Sequence, residues 1–353
     1  MSESNNKINK WPLIGNEHII DHLEKLLQKE QLSGTYIFLG PENLGKTTLA
    51  YSLARNVLCE ARQKGKDFPC GECVACSQMK GASVEEAQEG FEMVHGDLHV
   101  IRKEPDKKNI SIEQIREFIK TLGMSSFLNS YKIGVIKNAE KLSTEASNAL
   151  LKTLEEPRRK VIVVLIASDL ESIPDTITSR SQVLKFYPVS TPALYDHLRE
   201  KYNINRSTAK ELSHLSLGRP ALARKFLEDK EFYDEYLSRA KTFLSFFGSD
   251  INSRFNNVEA ILGQGKAGQE NARAALGVLE CWIGIVRDLI LLRSGNENYI
   301  QHEVLSDNLE RIKDRFTYEE MVSMYEMLQR GKKEIEDNVN PTLVLENIAT
   351  HIV

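Results

Sequence analysis

Residues 35 to 48, TYIFLGPENLGKTT, constrain the fold more than any other stretch of the chain. A short β-rich run leads into residues 40 to 47, which fit the spacing G-x-x-x-x-G-K-[ST]. Beyond it, Leu49, Leu53 and Val57 recur at helical spacing, with Ala50 and Ala54 beside them. Strand, glycine-rich turn and helix in that order form a phosphate cradle. The glycines let backbone N–H groups approach phosphate oxygens, the helix N-terminus adds positive potential, and Lys46 reaches the terminal phosphates. Gly40, Pro41, Glu42, Asn43, Leu44, Gly45, Lys46, Thr47 and Thr48 are the candidate residues for ATP or ADP, and Thr47 can ligate magnesium.

Around this motif, from about residue 13 to 188, β-rich runs alternate with helical patterns. Such alternation predicts an α/β domain whose mostly parallel sheet carries helices on both faces. Predicted strands are TYIFL (35 to 39), LHVIR (98 to 102), KIGVI (132 to 136), VIVVLIA (161 to 167) and VLKFY (183 to 187). The run at 161 is apolar throughout, as a central strand buried on both faces requires. The stretch STEASNALLKTLEE predicts a helix capped by Ser143 or Thr144, with Glu145 at its positive end and Pro157 closing it. Beyond Pro188 no further strand is predicted. Residues 189 to 230 read as a small helical domain punctuated by Gly218 and Pro220, and 231 to 353 as helical nearly throughout. QGKAGQEN (264 to 271) reads as an exposed loop or helix-linking segment. Trp282, Ile283 and Ile285 fit either a core or a surface that packs on another chain.

Hydrolysis needs more than the cradle. Magnesium is normally held by the loop hydroxyl together with an Asp at the end of a neighbouring strand, and a further polar group orients the water. The stretch YKIGVIKNAEKL supplies the strand, but Lys137 stands at the expected Asp position and Asn138 follows it. An ammonium there repels a metal ion, and Asn138 cannot act as a carboxylate base. Glu140 substitutes only if the register slips. Magnesium is therefore doubtful, and the chain is expected to bind ATP or ADP weakly to moderately with negligible turnover.

Four of the five cysteines lie between residues 59 and 76. Cys70, Cys73 and Cys76 form C-x-x-C-x-x-C, and Cys59 stands at the end of the helix that follows the cradle. In a reducing cytosol the set matches a closed structural zinc site, with a redox C-x-x-C and an iron–sulfur cluster as alternatives. His95 and His99 read as ordinary loop and strand residues. The 353 residues, 41% hydrophobic and 27% charged, suit a globular protein of two or three domains. A net charge of -4 gives no global basic field, so RKEPDKK (102 to 108) and RRK (158 to 160) read as solvated loops before they read as DNA contacts. The polar N-terminus lacks the apolar core of a signal peptide, and the longest apolar runs are too short or too broken to span a bilayer. The expectation is a cytoplasmic protein without membrane contact.

LIGNEH, the cradle, the cysteine module, NALLKTLEEP and TITSRSQ occur in the order found in bacterial clamp-loader subunits of the AAA+ class, and DNVNPTLVLENI (337 to 348) resembles their last segment. The resemblance spans nearly the whole chain. It implies an AAA+ P-loop domain at 1 to 188 with a four-cysteine zinc module at 59 to 76, a helical lid at 189 to 230, and an oligomerising collar at 231 to 353. It implies membership of a five-subunit ring that opens the sliding clamp and closes it on primed DNA, within the DNA polymerase III holoenzyme, a nucleotidyltransferase assembly. The chain itself is then neither the polymerase nor an active ATPase. The family places a trans-acting arginine in a Ser-Arg-Cys motif, which here reads Ser179-Arg180-Ser181, so Arg180 is the expected arginine finger. Where active relatives carry a sensing arginine, this chain has Ala221, with Arg219 and Arg224 offset. The rival within the family is the ATP-hydrolysing gamma/tau-type motor, which needs an acidic pair at Lys137 and Asn138. A small-molecule kinase fits poorly, because NALLKTLEEP and the helical C-terminus have no role in one.

Overall fold

The computed structural model describes residues 10–65, 68–81, 91–104, 107–126, 131–156, 160–262 and 268–352. The chain divides into two compact units, Met1–Val189 and Ser190–Val353. Among the described residues, no helix is long and apolar enough to cross a membrane.

The first unit is built on a six-stranded sheet: β1 (Gly34–Leu39), β2 (Phe91–His95), β3 (Leu98–Ile101), β4 (Lys132–Lys137), β5 (Val161–Ala167) and β6 (Ser181–Lys185). Their spatial order is β2-β3-β4-β5-β1-β6. All neighbouring pairs are parallel except β2 with β3. The five expected strands are present, and β2 is an edge strand with no counterpart in the sequence reading. Along β5, Ile162, Val164 and Ile166 join one core while Val163, Leu165 and Ala167 join the other. Alternation is invisible in VIVVLIA because both faces are covered. One core takes in the helices Glu17–Gln28 and Lys46–Leu58, the other the helices Ile112–Leu122 and Thr144–Glu155.

One strand is displaced from its expected position, and one pair of alternatives is resolved. The last strand begins at Ser181 and ends at Lys185, two residues before VLKFY predicts on each side. Phe186 N–H still donates to the Leu39 carbonyl at 2.7 Å. Beyond it the Asn16 side chain takes both polar groups of Tyr187, at 2.7 and 3.0 Å, and the ladder stops there. For the helix Thr144–Glu155, Ser143 rather than Thr144 is the cap, its hydroxyl accepting from Ala146 N–H at 3.1 Å. Pro157, Arg158, Arg159 and the first half of QGKAGQEN, 264–267, lie outside the described residues; Gln269 onward is helical. In RKEPDKK, Lys107 pairs with Glu104 at 2.9 Å, while Pro105 and Asp106 lie outside.

The second unit is helical: Thr191–Tyr202, Arg206–Leu215 and Pro220–Glu228, then Lys230–Phe246, Ile251–Leu262, Gln269–Arg293, Ser306–Lys313, Tyr318–Glu336 and Pro341–His351. Its core centres on Trp282, fully buried and stacked on Phe243 with ring centroids 5.1 Å apart. Ile285 is also fully buried, and Ile283 is partly buried against the same cluster. That settles Trp282 and Ile285 as core. Asp288, on the same long helix, is buried and satisfied: Gln301 and His302 backbone N–H groups donate to it at 2.9 and 2.7 Å, and His302 Nδ1 lies 2.8 Å away. Periodicity gives no signal for such a network, which depends on residues 13 and 14 positions apart.

Candidate functional site

The turn between β1 and the helix Lys46–Leu58 has the backbone a phosphate cradle needs. Gly40, Asn43 and Gly45 lie at positive φ, of 145°, 65° and 89°, the left-handed backbone from which anion-binding turns are built. Gly40 is required twice over, since a Cβ there would also stand 2.5 Å from the Phe186 carbonyl oxygen. Gly45 caps the helix without any side-chain acceptor for the first N–H groups, leaving them to an anion. Pro41, Glu42 and Asn43 are exposed, Leu44 is buried, and Thr47 and Thr48 are half-buried. The Lys46 ammonium is buried and donates to the carbonyls of Gly40 and, at 2.6 Å, Pro41. Burial lowers its pKa, with the carboxylates of Glu42 and Glu140 acting in the opposite direction.

Beside the cradle, the metal-side position is occupied by a cation. Lys137 ends β4 in register with Ile166 of β5, so the strand has not slipped. Its ammonium lies 5.7 Å from the centroid of the Tyr51 ring, on the helix that follows the loop, a cation–π distance. Asn138, in the left-handed region at φ 54°, then starts the 3₁₀ turn Ala139–Lys141. That turn brings Glu140 back toward the cradle without any change of register. Ser168, just past β5, donates to Glu140 Oε1 at 3.2 Å, while Oε2 is buried with no hydrogen-bond partner. An acid is therefore present near Lys46, three residues later than a strand-end acid would be.

The four clustered cysteines come together as the spacing predicts. Cys59 lies just past the helix Lys46–Leu58, Cys70 and Cys73 precede the next helical segment, and Cys76 sits within it, in Val74–Gly81. All four sulfurs lie within 4.8 Å of one another; tetrahedral zinc–thiolate bonds of about 2.3 Å require a set of this compactness. Backbone N–H groups of Cys70, Cys73 and Cys76 donate to the sulfurs of Cys59, Cys70 and Cys73 at 3.4 to 3.5 Å. Burial raises the Cys59 and Cys76 thiols. At Cys70 burial acts in the same direction but is outweighed by N–H donors of Glu72 and Cys73, which bring it down to about 7. The donor set fits a structural zinc ion, and four protein ligands leave no position for substrate.

Arg180 stands at the other end of the parallel strands. The register pairs Ser181 with Thr35, at the start of β1, whereas the cradle begins after Leu39 at its end. At a rise of about 3.3 Å per residue, the five residues from Thr35 to Gly40 separate them by about 16 Å along the strand, farther than an arginine side chain extends. Its guanidinium is partly exposed; Nη1 donates to the Thr176 carbonyl at 3.0 Å and to Ser179 Oγ at 3.2 Å, and Nη2 pairs with Glu155 at 3.0 Å. Ser181 turns back on the short helix Asp175–Thr178, donating to the Ile177 carbonyl at 2.7 Å. In the second unit, Arg219 donates to the Ser216 carbonyl at 3.0 Å and Arg224 pairs with Glu228 at 3.6 Å.

A phosphate cradle after the first strand of a β3-β4-β5-β1-β6 parallel array, followed by a helical unit, defines a protein of the AAA+ class. The family described as DNA polymerase III, delta subunit, matches residues 15–190. The delta' subunit of DNA polymerase III from Bacillus subtilis is 25% identical over 91% of this chain and 91% of its own length. The tau subunit from the same organism is 23% identical over 95% of this chain, which spans 59% of that relative. The delta' subunit from Haemophilus influenzae is 30% identical over 58% of this chain and 56% of its own. The chain belongs to the family of bacterial DNA polymerase III clamp-loader subunits.

Proposed function

We propose that this chain is the delta'-type member of the clamp loader, a subunit that supplies Arg180 to a neighbour's ATP site and does not turn over nucleotide itself. The observation that carries the reading is the placement of Arg180 at the end of the strands opposite its own cradle, with its guanidinium partly exposed. A guanidinium aimed at a terminal phosphate stabilises transition-state charge and is typically worth roughly 10³ to 10⁵ in rate. It must serve a site other than its own. Lys137 at the strand end supports the second half of the proposal, because an ammonium beside the cradle opposes a magnesium ion. The similarity to a delta' subunit over nine-tenths of both chains supports the choice within the family.

On this reading the partners are delta and gamma/tau subunits in a five-membered ring, acting in the cytoplasm on the sliding clamp and primed DNA. Residues 1 to 188 form the AAA+ domain, 189 to 230 the lid and 231 to 353 the collar through which the ring assembles. The cradle, residues 40 to 48, holds ATP or ADP without productive chemistry. Cys59, Cys70, Cys73 and Cys76 hold a zinc ion, whose contribution is to fix the end of the cradle's helix to the loop that follows. The rival reading is the gamma/tau-type motor. It is favoured by one specific observation, the Glu140 carboxylate beside Lys46 and Ser168. Two assays separate the readings. Isolated chain should bind nucleotide with negligible phosphate release, and Arg180→Ala should assemble normally with the other loader subunits yet depress their ATPase. Rapid magnesium-dependent hydrolysis by the isolated chain, abolished by Lys46→Ala, would establish the motor instead.

A further inference from the structure

If Arg180 acts in trans, as proposed above, something must aim it. An arginine that meets a phosphate in a neighbouring subunit has to be held close to its productive geometry before the encounter, because a loosely held site loses its effect within about an ångström. Arginine also carries about 2 kcal/mol of rotamer entropy. The turn at Thr176 and Ser179 engages one guanidinium nitrogen, Nη1, through a carbonyl and a hydroxyl. That engages one prong of the fork and leaves the other, Nη2, to a separate partner.

Nη2 is engaged from a different element. Glu155 Oε1 lies 3.0 Å from it, and Glu155 is the last residue of the helix Thr144–Glu155. That helix is anchored in the core through Ala146, Leu150 and Leu154, so its C-terminus is a fixed point. The negative end of the helix dipole lies at the same place and favours a cation. Two independent parts of the fold thus converge on one guanidinium. Both side chains remain about half exposed, 39% for Arg180 and 50% for Glu155. A pair of this kind is screened by water and worth little, so it can bias a rotamer and still yield an N–H to a polyphosphate.

We infer that Glu155 is a positioning residue for Arg180, holding the guanidinium turned outward so that it meets a neighbouring subunit's nucleotide already oriented. The role is exerted through the arginine and not on the nucleotide. In a loader reconstituted with its other subunits, Glu155→Ala therefore lowers the kcat of ATP hydrolysis roughly two- to fivefold, the range open to a weak exposed pair, with the KM for ATP and the thermal midpoint of the isolated chain unchanged. Glu155→Asp, which keeps the charge, restores part of the loss. In an Arg180→Ala background the Glu155→Ala change has no further effect, since the group it orients is gone. A Glu155→Ala effect of equal size in both backgrounds, or no effect on kcat in the wild-type background, overturns the inference while leaving the trans-arginine reading intact. An Arg180→Ala loader with unaltered ATPase removes that reading and Glu155's role with it.

Discussion

The two ends of the sheet carry the same kind of chemistry in opposite states. Where the parallel strands end, a complete phosphate cradle meets a strand-end lysine, and its own Lys46 is folded onto the carbonyls of Gly40 and Pro41. Where β1 and β6 begin, Arg180 stands partly exposed, braced by two elements. One end has a receptor for phosphate without the strand-end acid that completes it; the other has the cation proposed above to meet a neighbour's phosphate, on the far side from the chain's own cradle. On that proposal a P-loop fold keeps its architecture while its reactive group serves a neighbour. The roughly 16 Å of strand from Thr35 to Gly40 makes the two ends independent, and each can be broken separately.

The outward end should respond most strongly. Arg180→Ala should reduce hydrolysis at the neighbouring site it serves by roughly 10³ to 10⁵, measured as single-turnover ATP cleavage by the reconstituted loader. Arg180→Lys should recover little, because an ammonium lacks the planar fork. Retention of full single-turnover rate in Arg180→Ala would erase the contrast between the ends.

Next in size is the response of the cysteine module. The helix Lys46–Leu58 starts at the cradle and ends beside Cys59, and at about 1.5 Å per residue it runs roughly 20 Å. Stripping the metal with a chelator should destabilise the first unit by several kcal/mol. For a unit of this size each kcal/mol is a fall of about 2–4 °C in its thermal midpoint. Metal analysis should give about one zinc per chain. Without metal the Cys70 thiol titrates at about 7 and the Cys59 and Cys76 thiols higher. Zinc must displace the thiol protons, so retention should weaken as pH falls. Iron in place of zinc, or a thermal midpoint indifferent to chelation, would contradict the assignment.

The cradle end predicts a smaller and more local response. Lys46→Ala removes charge-assisted hydrogen bonds to phosphate worth about 1.5–3 kcal/mol, which should weaken nucleotide binding by the isolated chain roughly 10-fold or more. The ATPase of the assembled loader should change less than twofold. A loss in the loader as large as that from Arg180→Ala would mean that both ends take part in turnover.

How much of this was legible in the sequence depends on the range of the interaction. The cradle is local: its glycines, Lys46 and following helix are near neighbours in the chain, and the backbone adopts the expected turn. The cysteine module was legible for the same reason, since thiol spacing limits the geometries available. The edge strand β2 was not, because its pairing with β3 breaks register between Met93 and His95 and alternation fails there. Glu155 could not be assigned to Arg180, because a whole strand, β5, intervenes between them. NALLKTLEEP showed a helix with a charged end, without what that end faces. Glu140 is intermediate. It was visible as an acid near the right strand, but its return toward Lys46 depends on the left-handed Asn138 and the 3₁₀ turn that follows, which no periodicity reports.

Glu140 also gives the finest test of the contrast. Its carboxylate acts on the Lys46 ammonium through its charge and accepts from Ser168, with Oε2 buried and unpartnered. If the cradle end is inert, that negative charge opposes an incoming polyphosphate and takes up part of the Lys46 field. Glu140→Gln keeps the shape and the Ser168 contact but removes the charge. At the dielectric of a partly exposed site this amounts to on the order of 1 kcal/mol, or about fivefold tighter ADP and ATP binding by the isolated chain, with no gain in turnover. If Glu140 instead handles a metal ion or a water molecule, the sign reverses: the same change weakens binding only when magnesium is present and abolishes any phosphate release. Titrations of ADP and ATP with and without magnesium therefore read the state of this end from one substitution. Magnesium-dependent weakening would move it from a relic cradle to a working site and dissolve the contrast with Arg180.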